Sequence, residues 1–159
     1  MPVSMSMVTV LMNPTKVKGP IMATGTRGKQ AEGLVKKELA RLSLQQSFAF
    51  YRLPDARAGS FTPTLSDFIV ESKGVTTLLE VKEVNHEYRL PRPNFKLENR
   101  NRMRMFEMAG MNSLILVYFT PVKLWRAERL IYFTGDETGS WDMRDSQPIL
   151  LSSALAVGL

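Results

Sequence analysis

Residues 65–84 read LSDFIVESKGVTTLLEVKEV, and this stretch decides the fold. The run 65–70 has the apolar pattern of a short strand, and 75–84 is a longer run of the same kind. Between them, 71–74 (ESKG) supplies the polar residues and the glycine of a hairpin turn. We therefore expect two paired strands, which would bring Asp67 on the first close to Glu80 on the second.

The second strand carries Glu80 and Lys82 on one face, because side chains alternate along a strand and Val81 points away. Two carboxylates and an ammonium group would then meet in one pocket. Carboxylate oxygens hold Mg²⁺, and a cation beside the attacked phosphate completes what a metal-dependent nuclease needs. Glu-x-Lys by itself is common on solvated strand faces. The apolar residues around Asp67 and Glu80 favour a buried site, because an unpaired buried carboxylate is costly.

A third oxygen ligand is available from an upstream helical stretch. A buried helical stripe is indicated by apolar residues that recur near helical spacing, which are Ala31, Leu34, Val35, Leu39 and Leu42. Glu32 lies at the edge of that stripe and Glu38 falls within it, so the two compete for the role. Either could instead be a surface charge paired with a neighbouring lysine.

The composition is that of one intracellular globular domain. The chain has 159 residues, 44% of them apolar and 23% charged, which is ordinary for a soluble domain with a real core. It has no cysteine, which excludes disulfides and thiolate zinc sites and fits a cytoplasmic location. No apolar run approaches the roughly 20 residues that span a bilayer, so we expect no membrane association.

Basic residues concentrate in two parts of the chain. The net charge is +6, with nine Lys and Arg against three acids in 1–60 and seven against three in 82–104. Residues 128–159 have two against five. This asymmetry indicates a basic face for a polyanion such as nucleic acid, although a basic surface without a dedicated partner has the same composition.

The order of the predicted elements is helix, three strands, helix, strand, which is typical of an α/β domain around a mixed sheet. We expect a flexible arm over 1–24, or an edge strand there, and a single domain over 25–159. Prolines in 89–93 favour an extended, projecting loop. A helix should cover about 95–109, capped by Asn94 and ended by Gly110. Strands are expected over 113–119 and 129–134, and an acidic loop and an apolar tail would follow.

Together these residues resemble the PD-(D/E)xK nuclease superfamily, with Ser66 where proline would stand. Arg27-Gly28-Lys29 followed by Glu32 is similar to the amino-terminal signature of its RecU-type and archaeal Holliday-junction resolvases. Residues 57–60 (RAGS), 89–91 (RLP) and 94–99 (NFKLEN) resemble further segments of those proteins. The resemblance covers roughly residues 25–133 and implies a restriction-endonuclease-like core, a central mixed β-sheet flanked by helices.

The resemblance also implies roles for individual residues. Asp67, Glu80, the Val81 carbonyl and Glu32 would hold Mg²⁺, for which Mn²⁺ may substitute, and Lys82 would orient water or stabilise developing charge. Contacts to nucleic acid would come from Arg27, Lys29, Arg57, Arg89, Arg92, Lys96 and Arg100. Two departures from the RecU pattern stand out. Leu65 replaces a threonine, and Asn99 (or Asn101) stands in for a glutamine, so the recombinase-modulating role of RecU is not expected.

The function that follows is a Mg²⁺-dependent endonuclease that resolves four-way DNA junctions, as a homodimer because a junction needs two symmetric cuts. Many bacteriophages use small resolvases of this kind, in which case the compartment would be the host cytoplasm. Three alternatives stay open. They are a restriction- or repair-type nuclease on linear duplex, a non-catalytic DNA-binding module of the same fold, and a basic scaffold or RNA-binding protein.

Overall fold

The computed structural model describes residues 27–45, 47–54 and 64–158. The predicted arm over 1–24 and the predicted DNA contact Arg57 lie outside these residues. None of the helices in the described ranges is long and apolar enough to span a bilayer.

A six-stranded mixed sheet organises the domain, in the order β1-β2-β3-β5-β6-β8. Only the central pair, β3 and β5, is parallel; the other neighbours are antiparallel. The strands of this sheet are β1 Phe48–Arg52, β2 Phe68–Ser72, β3 Val75–Val84, β5 Asn112–Phe119, β6 Leu124–Glu128 and β8 Pro148–Ile149. The helices are α1 Arg27–Leu42, α2 Leu97–Met108 and α3 Leu151–Gly158. The α/β class and the central mixed sheet are confirmed.

The two faces of the sheet carry separate cores. On one face, α1 buries Ala31, Val35 and Leu39 among strand residues that include Val81, and Leu155 of α3 joins them. On the other face, Phe95 and Met103 pack with Leu78, Val84 and the apolar residues of the carboxyl-terminal loops. The strand β3 is buried over 77–81, with residues facing both sides of the sheet, as central strands are. Glu80 is the charged residue in that buried stretch, and a buried carboxylate calls for a partner.

The predicted hairpin is present, with a tight turn at Lys73 and Gly74. Both residues have positive φ, 52° and 79°, as a two-residue turn between twisted antiparallel strands requires. Its register pairs Phe68 with Leu79 and Ser72 with Val75. The first strand starts three residues later than the apolar run 65–70 suggested, so Asp67 precedes β2.

Four predictions about local structure need correction. Residues 89–93 do not project as an extended loop, because β4 (Arg89–Pro91) pairs with β7 (Ser140–Asp142) and a 3₁₀ turn follows. Asn94 does not cap α2; the Leu97 N–H instead donates to the Glu137 carboxylate. Residues 129–134 form a 3₁₀ turn around Leu130–Tyr132, and the strand precedes it as β6. Leu34 does not belong to the buried stripe of α1; its side chain is 40% exposed, because it precedes Val35 by one residue and so points roughly 100° away round the helix.

Candidate active site

Asp67 lies beside β3 where β2 begins. The printed pairs of the hairpin end at Phe68–Leu79, and the Asp67 N–H donates to the Leu79 carbonyl at 3.2 Å. Asp67 is therefore one residue out of register with the hairpin, as at a β-bulge. The charges of Glu80 and Lys82 both act on the Asp67 carboxyl group, so the three side chains lie within electrostatic range of one another.

The Asp67 carboxylate is held by the backbone of the neighbouring strand. Its Oδ2 accepts the Val81 N–H at 2.6 Å. In a strand, the N–H and C=O of one residue point to the same side, so the Val81 carbonyl also faces the Asp67 side of β3. The Asp67 carboxylate and the Val81 carbonyl thus lie at the same edge of β3, where β2 has ended and its ladder no longer occupies that edge.

Glu80 and Lys82 form a close ion pair within this pocket. Lys82 Nζ lies 2.5 Å from Glu80 Oε1, and Glu80 is only 3% exposed. The ammonium group also lies 5.4 Å from the centre of the Phe95 ring, a distance at which the ring face attracts a cation. Phe95 is itself fixed by edge contacts with Phe133 and Trp141. The ammonium position is therefore set from two sides.

Burial and charge crowding shift two pKa values in the site. Burial, and then the nearby charge of Glu80, raise the pKa of Asp67 to about 7, against the lowering effect of Lys82 and the Val81 N–H. Burial alone would lower the pKa of Lys82. The charge and the hydrogen bond of Glu80 raise that pKa instead, and the charges of Asp67 and Glu32 make smaller contributions in the same direction. At neutral pH Lys82 is therefore a cation, and the carboxylate pair holds more negative charge than its surroundings stabilise.

Glu32 lies near this pair without joining it. Its Oε2 bonds to Arg52 of β1 at 2.7 Å, and its charge contributes to the pKa shifts of Asp67 and Lys82. The helix α1 packs on the core that contains Val81, and the Glu32 carboxylate is engaged by Arg52. Its competitor Glu38 bonds to Arg41 at 2.6 Å on the surface. Between the two, Glu32 is the acid within electrostatic range of the site.

The donor set suits a hard divalent cation in part. Within the described ranges, no group of three or more carboxylate or imidazole side chains is arranged to hold a metal. Asp67, Glu80 and the Val81 carbonyl supply three oxygen atoms, and Mg²⁺ commonly binds through one or two carboxylates plus water or phosphate oxygens. Burial, and then the charge of Glu80, raise the pKa of Asp67, so two ionised carboxylates are poorly stabilised here and a bound cation would favour them. These residues fit Mg²⁺, and Glu32 as a ligand stays a prediction.

The residues predicted to contact nucleic acid divide into three groups. Lys29, Arg89 and Lys96 are exposed, as phosphate contacts must be. Arg92 is partly buried; its guanidinium lies 5.5 Å from the Trp141 ring centre and bonds to Asp136. The side chain of Arg27 and all of Arg57 lie outside the described residues. Asn99 is half-buried near the start of α2, and its role in the site stays a prediction.

The predicted contact of Arg100 with nucleic acid needs correction, because Arg100 lies in the protein interior. It is 0% exposed, and its guanidinium donates to the carbonyls of Phe95, Phe133, Gly135 and Asp136 at 2.9–3.2 Å. It also lies over the Trp141 ring. With its donors used inside the fold, Arg100 ties α2 to the loop that follows the 3₁₀ turn and is not available to a phosphate.

Two residues that the sequence did not mark help to shape the site. Arg52 is the last residue of β1, and its alternation with Phe48 and Phe50 is the signal that places it on the α1 face. Phe95 belongs to the segment 94–99 that resembles the resolvases, and the sequence assigns it no role of its own. Its position under Lys82 depends on the loop geometry between β4 and α2, which no local pattern predicts.

The fold has counterparts among solved structures. Archaeoglobus fulgidus Hjc, a Holliday junction resolvase from an archaeal hyperthermophile, is similar with a TM-score of 0.57 at 15% identity, over 80% of this chain and 98% of that one. The chain has a restriction-endonuclease-like fold. A bacterial homing endonuclease, I-Ssp6803I, is similar with a TM-score of 0.46 at 10% identity, over 80% and 78% of the two chains. No protein-family model and no curated protein matches the chain.

The likeness to Hjc confirms the restriction-endonuclease-like core expected from the sequence. At 15% identity it concerns the fold alone, because one fold supports different activities. The RecU-type assignment and the individual site residues stay predictions.

Proposed function

We propose that this protein is a metal-dependent, structure-selective endodeoxyribonuclease that resolves Holliday junctions and other branched DNA by paired phosphodiester hydrolysis. The observation that carries the proposal is the cluster of Asp67, Glu80 and Lys82 on a restriction-endonuclease-like sheet. The Asp67 carboxylate accepts the Val81 N–H, and Lys82 lies 2.5 Å from Glu80. Burying like charges next to each other is unfavourable in the absence of a counter-ion. A catalytic role therefore explains the two carboxylates better than a contribution to folding stability does.

Asp67, Glu80 and the Val81 carbonyl would hold Mg²⁺, or Mn²⁺ in its place. The ion would supply Lewis-acid activation of water and neutralise charge on the phosphate. The protein contributes the fixed position of the oxygen atoms. The Val81 N–H orients one carboxylate of the pair, and Lys82 orients the other.

Lys82 would act as a positive charge and not as a base. Its pKa is raised by Glu80, so it keeps its proton at neutral pH. A compact ammonium group at a fixed position stabilises negative charge that develops on a phosphate oxygen. The Phe95 ring beneath it restricts that position further.

The exposed Lys29, Arg89 and Lys96 would contact the DNA backbone. Such contacts position a duplex or junction without reading its sequence. Junction selectivity rests on the similarity to Hjc and on the resemblance in sequence. The two symmetric cuts of resolution require two active sites, so we propose a homodimer that acts in DNA recombination and repair.

The test compares a synthetic four-way junction with a linear duplex of the same arm sequence, with and without Mg²⁺. We expect paired cuts in the junction that need the metal. Cleavage of linear duplex at a defined sequence, without preference for the junction, would instead assign a restriction- or repair-type nuclease. Junction binding with no cleavage in Mg²⁺ or Mn²⁺ would assign a non-catalytic DNA-binding module.

A further inference from the structure

The contact between Glu32 and Arg52 lies in a groove beside the candidate active site. The groove has a volume of about 310 Å³ and is lined by Lys29, Glu32, Gly33, Lys36 and Arg52. Three cations therefore surround one carboxylate. A groove lined by three cations suits a phosphodiester group of a DNA strand. DNA is the anion that the proposed function brings to this face.

Both partners of the contact are open to solvent. The side chain of Arg52 is 40% exposed and that of Glu32 is 23% exposed. Ion pairs of this exposure contribute little free energy, so a phosphate can compete for the guanidinium. Arginine is also well matched to phosphate, because its planar fork can donate two parallel hydrogen bonds.

The backbone next to Glu32 is tied to the active-site strand. The Ala31 N–H donates to the Glu83 carboxylate at 2.9 Å, and Glu83 adjoins Lys82. The first turns of α1 are thus fixed beside the site, and the Glu32 charge raises the pKa of Asp67 and Lys82. The Arg52 contact thus engages a carboxylate whose charge already acts on the candidate site.

We propose that Arg52 is a DNA-responsive latch on Glu32. Without DNA, Arg52 holds Glu32 away from Asp67 and Glu80. When a backbone phosphate enters the groove, the guanidinium transfers to the phosphate and Glu32 turns to the divalent-cation site as a further oxygen ligand. Full metal affinity would then require DNA. The inference rests on the proposed metal-dependent nuclease function and adds a residue, Arg52, that couples substrate binding to metal binding.

The first experiment measures Mn²⁺ binding to the full chain without DNA, by electron paramagnetic resonance of the free ion. We expect Arg52→Gln to tighten Mn²⁺ binding by about two- to fivefold, the factor that releasing an exposed ion pair provides. Arg41→Gln is the matched control, because it breaks the Glu38–Arg41 pair on the same helix and should leave the affinity unchanged.

The double variant Glu32→Gln/Arg52→Gln separates the latch from a general charge effect. Compared with Glu32→Gln alone, it should show no tightening. If Arg52→Gln tightens Mn²⁺ binding equally in the two backgrounds, removal of a positive charge explains the gain and the latch is wrong. If Arg52→Gln gives no gain while the parent chain binds Mn²⁺, the latch alone fails. If no variant binds Mn²⁺, the metal site fails and the latch with it.

The second experiment adds a synthetic four-way junction to chains that carry Lys82→Ala, so that the DNA stays intact, with a DNA-only sample as the blank. The junction should increase Mn²⁺ affinity more in the chain that keeps Arg52 than in the one with Arg52→Gln. Equal increases in the two chains would overturn the proposed exchange of Glu32 for phosphate.

Discussion

Replacing Asp67 with asparagine should stabilise the metal-free protein at alkaline pH. Asparagine is uncharged, and its Oδ1 can still accept the Val81 N–H that Oδ2 accepts now. The substitution therefore removes the unfavourable charge of the buried pair and keeps its hydrogen bond. Gains of stability at active-site positions are expected where function requires like charges to be held together.

The magnitude follows from the pKa of Asp67, which rises from 3.8 to about 7 on folding. The folded state binds this proton more tightly than the unfolded state, so stability is lost as the pH rises through that interval and stays low above it. About three pH units at roughly 1.4 kcal/mol each set an upper limit of about 4 kcal/mol. Asp67 is partly exposed, and solvent screening reduces this to about 1–3 kcal/mol.

The assay is urea unfolding of the two proteins in EDTA at pH 4.5 and pH 8. Asp67→Asn should have the higher free energy of unfolding at pH 8, and the difference should largely disappear at pH 4.5. Asp142→Asn is the control, because the Arg144 guanidinium lowers the pKa of Asp142 and its neutralisation should give no gain at pH 8. A loss of stability in Asp67→Asn at pH 8, or an equal difference at both pH values, would refute the reasoning.

Three further predictions concern the metal, the lysine and the buried arginine. Millimolar Mg²⁺ should raise the melting temperature of the parent chain but not that of Asp67→Asn, because ligands stabilise only the state that binds them; equal shifts in differential scanning fluorimetry would count against the site. Lys82→Ala should abolish cleavage while gel-shift binding of the junction survives, and parallel loss of both would remove the assigned role. Arg100→Met should lower the free energy of unfolding by at least about 3 kcal/mol, since it leaves several buried carbonyls without a donor. Lys96→Met, at an exposed position of the same segment, should instead weaken DNA binding without loss of stability in urea unfolding.

The hairpin and the acidic pair could be predicted because their signals are local. Apolar runs, a Lys73–Gly74 turn and the alternation of side chains fix which residues of adjacent strands face each other. That register runs as far as the Phe68–Leu79 pair and so brings Asp67 beside the strand that carries Glu80. The same holds for the central strand β5, whose continuous apolar run indicates burial on both faces.

The errors have a common cause in long-range contacts. The prolines at positions 91 and 93 favour a loop. Residues 89–91 nevertheless form a strand, because β7 from the distant segment 140–142 pairs with them. Arg100 reads as one of several surface cations on a basic helix, and only the carbonyls of residues 133–136 make it an interior residue. Glu137 likewise caps α2 from a distance. Local patterns do not contain these partners.

A crystal structure of the protein soaked with Mn²⁺ tests the central claim most directly, because anomalous scattering locates the ion without reference to activity. We expect one strong peak coordinated by the carboxylates of Asp67 and Glu80 and by the Val81 carbonyl. A structure with no peak between these residues, and with the ion at surface carboxylates such as Asp142 instead, would contradict the account.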